Sequence, residues 1–206
     1  MKRFMALFLT VSMFLSLGAI TSVNAAGLKD YGARTTKTYQ LTSAVYEKDV
    51  YSNWIRLTEP KYARRATEHG FYFKGATKEV TSSLNIGVPI KQVSAKLNIA
   101  IKNSVTTTIN GDVSSSLEKG EYTAYYYRNH WKQYKVTYKV TEKTTFSKKG
   151  GGLQVKTNTY YKTERIKVAQ KLNAHDYGWF YAYRAKDLPK TLNEKWCDDN
   201  YSCKVR

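Results

Sequence analysis

The chain has 206 residues and a formal charge of +18, with 34 basic and 16 acidic side chains. It contains 18 tyrosines but only 3 prolines, together with many valines, isoleucines and threonines. This composition excludes a disordered chain, a collagen-like chain and a proline-rich linker, and the length excludes a multidomain enzyme of ordinary size.

The first 25 residues have the three parts of a secretory signal peptide. Lys2 and Arg3 form a positive start, and Phe4 to Ile20 is almost wholly apolar. Val23-Asn24-Ala25 then places small residues at the two positions that signal peptidase reads. We expect cleavage after Ala25, so that residues 26–206 form a single β-rich domain that is secreted. An uncleaved membrane anchor is the alternative, although the apolar run is short for one.

The part that follows the signal is expected to be helical or irregular. Ala26 to Lys37 is polar, and the apolar residues between Leu41 and Leu57 fit either a helical stripe or a strand. Pro60 to His69 has the features of a short helix, because proline suits a first turn and Gly70 can end one.

The longest alternating pattern runs from Val93 to Ile109. Its apolar residues fall on one parity, and serine, lysine, asparagine and threonine fall mostly on the other. The alternation predicts one strand of about seventeen residues, where five or six are usual. The sequence Asn110-Gly111-Asp112 predicts a turn at its end.

Four later segments are predicted to be strands because they are rich in tyrosine, valine and threonine. Lys149-Gly150-Gly151-Gly152 joins the second to the third, and these two are expected to form a hairpin. The expected fold is mainly β and antiparallel, with long amphipathic strands in an elongated sheet or a sandwich. The four segments are Glu121 to Arg128, Trp131 to Phe146, Leu153 to Val168 and Tyr177 to Tyr183.

Positive charge is concentrated between Arg128 and Lys171, a stretch with twelve basic residues and only two acidic ones, Glu142 and Glu164. Lysines and aromatic residues alternate there, so one face of the hairpin would be cationic and the other aromatic. Such a hairpin would be drawn to an anionic surface. The solvated outer face of a sheet is the alternative. The candidate binding residues are Arg128, Lys132, Lys135, Lys139, Lys143, Lys156, Lys162, Tyr134 and Tyr138.

Three features between Val80 and Val140 occur together. Residues 81–90 read TSSLNIGVPI, a Ser/Thr-rich amphipathic run continues through Ser116, and Tyr122 to Arg128 is rich in tyrosine. This stretch resembles the aerolysin-like β-pore-forming toxins of the epsilon-toxin and mosquitocidal-toxin type. The resemblance implies an elongated module that oligomerises on a membrane and inserts an amphipathic strand. The residues of this chain that would then face lipid are Val93, Leu97, Ile99, Ile101 and Val105.

Motifs for catalysis and for metal binding are absent from the sequence. It has no Gly-x-Ser-x-Gly, no His-Glu-x-x-His, no Asp-rich calcium loop and no phosphate-binding glycine loop. We therefore predict a protein that is not an enzyme and needs no cofactor or metal. A small secreted hydrolase that uses His130 and His175 is the alternative.

The two cysteines, Cys197 and Cys203, are expected to form a disulfide, because an exported protein meets an oxidising environment. Export also argues against nucleic acid as the partner. The leading hypothesis is a secreted cationic protein that binds an anionic envelope surface, either a membrane or a cell-wall polymer. Insertion of residues 93–109 as a pore is the second hypothesis.

Overall fold

The fold is described by a computed structural model that covers residues 33–64, 66–72, 75–109, 112–147, 153–193 and 202–205. The predicted signal peptide, Asn110 and Gly111 of the predicted turn, the glycine cluster 150–152 and Cys197 lie outside the described residues. The predictions of a signal, of these two turns and of a disulfide therefore stay predictions.

The described chain is mainly β and confirms the predicted fold class. Its helical elements are α1 (Ile90–Leu97) and two short 3₁₀ helices, Ala174–Asp176 and Ala185–Asp187. The strands are β1 (Arg34–Tyr51), β2 (Trp54–Arg56), β3 (Lys61–Tyr62), β4 (Thr67–Tyr72), β5 (Ala76–Thr81), β6 (Ser104–Ile109), β7 (Asp112–Leu117), β8 (Tyr122–Tyr127), β9 (His130–Ser147), β10 (Leu153–Ala169), β11 (Tyr177–Ala182), β12 (Thr191–Leu192) and β13 (Ser202–Lys204).

The described strands form four sheets. One has three strands in the order β1-β9-β10. A second has the order β12-β2-β8-β11-β13, with β3 also paired to β8. Two-stranded sheets are formed by β4 with β7 and by β5 with β6. The two predicted hairpin strands correspond to β9 and β10, which are neighbours as expected, and the predicted strands at β8 and β11 are confirmed.

The pair β8–β11 lies between two clusters of buried side chains. Successive strand residues point to opposite faces, so Tyr126 and Phe180 pack on one side, together with Trp54. Tyr125 and Trp179 pack on the other side. A strand covered on both faces reads as a continuous apolar and aromatic run, which explains the tyrosine-rich sequence of β8.

The described residues fall into two compact units. The first unit consists of the residues up to Tyr39 together with Val140–Tyr160. It therefore holds the end segments of β1, β9 and β10. Among the described side chains of this unit, only Val140 is buried. The second unit consists of Gln40–Lys139 and the residues from Tyr161 onward, and it contains both buried clusters.

The prediction of one long strand from Val93 to Ile109 is wrong. The segment forms the end of α1, a connection and then β6. Ile90, Val93 and Leu97 have the three- and four-residue spacing of a helix face, and Val93 is fully buried. Pro89 precedes the first helical residue, and Asn98 ends the helix in the left-handed conformation with φ 53°. The apolar residues therefore fit both the two-residue period of a strand and the 3.6-residue period of a helix, and residues 90–97 form a helix.

The expectation of a helical or irregular amino-terminal part is also wrong, because the described residues there form mainly strands. Residues 41–57 lie mostly in β1 and β2, so the strand alternative is the one realised. The predicted helix from Pro60 to His69 is replaced by β3 and the start of β4. Lys61 and Tyr62 pair with β8, and the Ala63 amide donates to the Glu121 carbonyl at 2.9 Å. Pairing with a partner far along the chain therefore outweighs the local helix signal.

Candidate functional site

The lysines of the predicted basic surface do not share one face of the sheet. Residues of equal parity on β9 and β10 meet across the pair, but Lys135, Lys139 and Lys143 are odd-numbered on β9, whereas Lys156 and Lys162 are even-numbered on β10. Lys135 and Lys143 on β9 are exposed, as are Lys156 and Lys162 on β10. Lys132 and Lys139 are half-buried. Lys143 and Lys156 belong to the first unit, and the other lysines belong to the second.

The expectation that Tyr134 and Tyr138 form an exposed aromatic face is wrong. Their exposed fractions are 7% and 0%. The Tyr138 hydroxyl donates to Glu164 Oε2 at 2.7 Å, and the ring of Tyr134 packs edge-on against Tyr46. Alternation in the sequence correctly separated lysines from tyrosines, but it could not tell which face the rest of the chain covers.

Arg128 is also not a free surface cation. Its guanidinium lies over the rings of Tyr51 and Trp54, at 4.0 and 4.7 Å from the ring centroids. Its Nε is 3.5 Å from Asp176 Oδ1, and its NH2 group donates to the His175 carbonyl. Arg128 therefore holds strands together rather than binding an external partner.

His130 belongs to the same cluster. Its Nε2 lies 3.1 Å from Asp49 Oδ1, and its Nδ1 lies 3.3 Å from Asp176 Oδ2, while the ring stacks on Tyr51. Burial lowers the pKa of His130, but the interactions with Asp176 and Asp49 outweigh burial and raise the pKa above its ordinary value. A carboxylate faces each ring nitrogen, and this arrangement favours the protonated imidazole over the neutral one.

The residues proposed for membrane insertion do not share one strand face. Val93 and Leu97 lie on α1, Ile99 and Ile101 lie in the connection that follows, and Val105 lies on β6. No helix within the described ranges is long and apolar enough to cross a membrane. Within the same ranges, no group of His, Cys, Asp and Glu side chains is placed to hold a metal ion.

In the first unit, one face of the three-stranded sheet carries an ion pair. Glu142 on β9 lies 2.6 Å from Lys37 Nζ on β1 and accepts a hydrogen bond from the Tyr160 hydroxyl on β10 at 3.0 Å. Hydrogen bonding with Lys37 lowers the pKa of Glu142. These contacts show that even-numbered residues of β9 and β10 share this face, together with odd-numbered residues of β1. Glu142 is the one acidic residue among the described residues of this unit.

The opposite face of the same segments has cations, hydroxyls and exposed apolar side chains but no described acid. Leu153 is 76% exposed and Val155 is 61% exposed. The threonine hydroxyls of β1 reach the main chain of β9, as Thr36 does to the Lys143 carbonyl. We call this surface the cationic face. It consists of Arg34, Thr36 and Thr38 of β1, Thr141, Lys143 and Thr145 of β9, and Leu153, Val155, Thr157 and Thr159 of β10.

Of the residues of the cationic face, the sequence reasoning named only Lys143 as a binding residue, and it missed the cation Arg34 and the apolar pair Leu153 and Val155 as well as the threonines. The pattern Leu-x-Val directly after the glycine cluster places both residues on one strand face, but it does not show whether that face is covered. No local signal points to Arg34, since it is placed by the pairing of β1 with β9, in which the next residue, Thr35, contacts Thr144, 109 residues later.

Comparisons with protein-family models, with curated proteins and with solved structures give no match to this chain. The resemblance to aerolysin-like toxins therefore stays a prediction.

Proposed function

We propose that the protein is secreted, is not an enzyme, and binds anionic lipid membranes through the cationic face of its first unit. The observation that carries this proposal is the exposure of Leu153 and Val155 on the same sheet face as Arg34 and Lys143, with no described acidic residue there. An apolar pair beside cations suits the boundary between headgroups and acyl chains.

The exposed apolar pair favours a membrane over a hydrated wall polymer as the anionic partner. Burying a leucine or valine side chain fully gains about 1.5–3 kcal/mol, and a membrane interface offers that burial. A solvated polymer does not offer it. Each cation near an anionic membrane adds about 1 kcal/mol. We therefore expect reversible binding that needs both contributions.

The rest of the chain supports the approach to such a surface. The formal charge is +18 for the full chain and +16 without the predicted signal, which holds Lys2 and Arg3. This charge produces a long-range attraction that raises the rate of encounter with an anionic membrane. This attraction is screened at a distance of about 10 Å in 0.1 M salt, so binding should weaken as salt is added.

The proposal is tested by sedimenting the purified protein with phosphatidylcholine vesicles, either alone or mixed with phosphatidylglycerol. We expect binding to the mixed vesicles that falls with salt. Lys143→Glu should weaken it about thirty-fold, because the reversal removes one favourable charge and adds an unfavourable one at about 1 kcal/mol each. The matched control is Lys96→Glu at an exposed position of α1, which changes the net charge equally.

A second pair of variants tests the apolar contribution. Replacing Leu153 and Val155 with serine should weaken binding at least tenfold at unchanged net charge. Phe146→Ser is the control, since Phe146 is 38% exposed on the other face of the sheet. Equal losses from Lys143→Glu and Lys96→Glu would show that only net charge matters. Binding to wall preparations but not to vesicles would replace the membrane with a polymer, and dye release would favour the pore hypothesis.

A further inference from the structure

The strand β10 lies at one edge of the sheet β1-β9-β10. Its far end is covered, because the Lys167 main chain exchanges two hydrogen bonds with Ser83 at 2.8 and 3.0 Å. Along Leu153–Tyr160, no described strand pairs with its outer edge. The amide and carbonyl groups on that edge are therefore open to another strand.

Edge strands normally carry features that prevent such pairing, and this segment has few of them. Every residue from Leu153 to Thr163 is exposed, and side chains of this run contact the neighbouring β9, as Tyr160 does with Glu142 and Thr163 does with Thr137. The stretch Leu153–Tyr160 contains no proline and one charged residue, Lys156. Its threonine and tyrosine residues favour strands. A long, exposed edge with few charges is a template for strand addition.

We propose that this edge binds a second copy of the chain, so that two β10 strands pair antiparallel around a two-fold axis. The result is a continuous sheet in the order β1-β9-β10-β10-β9-β1. A two-fold interface uses the same patch on both copies, so the patch must be complementary to itself. Whether β10 meets this condition depends on the register.

The register follows from symmetry and charge. A two-fold axis perpendicular to the sheet places one residue opposite itself, and Asn158 is the midpoint of the exposed run Leu153–Thr163. Thr157 then lies opposite Thr159, and Lys156 lies opposite Tyr160, where a cation can meet an aromatic ring. An axis at Lys156 would instead place two lysines opposite each other. The edge is therefore self-complementary in the register that uses its full length.

The net charge of +18 opposes association of two copies. Salt screens that repulsion, whereas the hydrogen bonds between strands are short-range and are little affected. Dimerisation should therefore strengthen with salt. This is opposite to the salt dependence expected for membrane binding, so the two proposals can fail independently.

The test is sedimentation equilibrium of the purified protein without lipid, over a range of protein and salt concentrations. We expect a monomer–dimer equilibrium that shifts toward the dimer as salt increases. Asn158→Lys and Asn158→Asp should each weaken the dimer about fivefold by placing like charges opposite each other. An equimolar mixture of the two variants should form a heterodimer at least as stable as the wild-type dimer.

The controls are Asn103→Lys and Asn103→Asp, which make the same changes at an exposed position between α1 and β6. They should leave the equilibrium close to that of the wild type. A monomer at every concentration and salt would overturn the proposal. So would a dimer that the Asn158 variants do not weaken, or one that the Asn103 variants weaken equally.

Discussion

The two units of this protein use similar sequences in opposite ways. In the second unit, β8 buries Tyr125 and Tyr126 on its two faces, with exposed fractions of 2% and 0%. In the first unit, strands equally rich in threonine and tyrosine bury only Val140 among their described side chains, and they leave Leu153 76% exposed. Strand formation therefore follows from residue type, whereas burial depends on what else packs on the strand. Stability should come from the second unit, and the first unit is left to interact.

The largest expected effect tests where stability resides. Phe180 is fully buried, with its ring centroid 5.0 Å from that of Trp54 and 4.8 Å from that of Tyr126. Phe180→Ala should lower the free energy of unfolding by about 3–5 kcal/mol, because it leaves a cavity among these rings. Val155→Ala, its counterpart on the cationic face, should change it by less than about 0.5 kcal/mol. Urea unfolding followed by fluorescence measures both free energies. Comparable losses would contradict the expectation that stability comes from the second unit.

A smaller effect is expected where a glycine of the second unit meets the core. A Cβ at Gly87 would lie 2.8 Å from the Tyr138 hydroxyl and 3.1 Å from its Cζ, so the buried ring would have to shift. The shift would disturb the hydrogen bonds from Tyr138 and from the Gly87 amide to Glu164. Gly87→Ala should cost about 1–3 kcal/mol by overpacking.

Gly75→Ala is the matched control for that variant, because its nearest neighbour would be the Ile109 carbonyl oxygen at 3.4 Å, which is a tolerable contact. Thermal unfolding of both variants measures the difference. A Gly87→Ala protein as stable as the wild type would show that the contact between Gly87 and Tyr138 is not a tight one.

The smallest effect is a dependence of stability on pH. The pKa of His130 is raised above its ordinary value of 6.5. Burial lowers this pKa, but the interactions with Asp176 and Asp49 raise it by more. A raised pKa means that the folded chain binds a proton more tightly than the unfolded chain. This stabilisation should be complete below about pH 6.5 and should be lost as the pH rises through the folded-state pKa.

Urea midpoints measured from pH 6 to pH 9 test this expectation. His130→Gln should lose the decline in stability over that range, whereas His175→Gln, at an exposed position, should keep it. A wild-type midpoint that is constant across the range would show that His130 titrates normally in the folded protein.

The parts of the fold that could be predicted are those in which the local pattern and the long-range pairing agree. The segments of β9 and β10 alternate, those of β8 and β11 are continuous aromatic runs, and all four predicted strands are confirmed. Around Val93 the same apolar residues fit both a strand and a helix, and the helix forms with Val93 buried, between Pro89 and the left-handed Asn98. The segment after Pro60 reads locally as a helix but pairs with β8 instead. Pairing across the chain leaves no local trace, so it could not be predicted.

The candidate site could also be predicted only where the local sequence pattern was sufficient. Lys143 was found because strand alternation assigns the lysines and tyrosines of β9 to opposite faces, whereas Lys156 lies on the face that carries Glu142. The inward direction of Tyr138 was not predictable, because it depends on Gly87 and Glu164 covering that face. Arg128 was misassigned for a similar reason, since the rings of Tyr51 and Trp54 reach it from a segment more than seventy residues earlier.

The sheet around β8 joins strands that are distant in sequence, and this has a consequence for how the chain folds. Trp54 of β2 lies opposite Leu192 of β12, and Ile55 lies opposite Tyr127 of β8. Long loops must therefore close before the aromatic cluster can form, and folds of this kind take about milliseconds to seconds. During that time tyrosine-rich strands are exposed to other copies. A charge of +18 repels those copies, so the cationic character protects the nascent protein before it serves any partner.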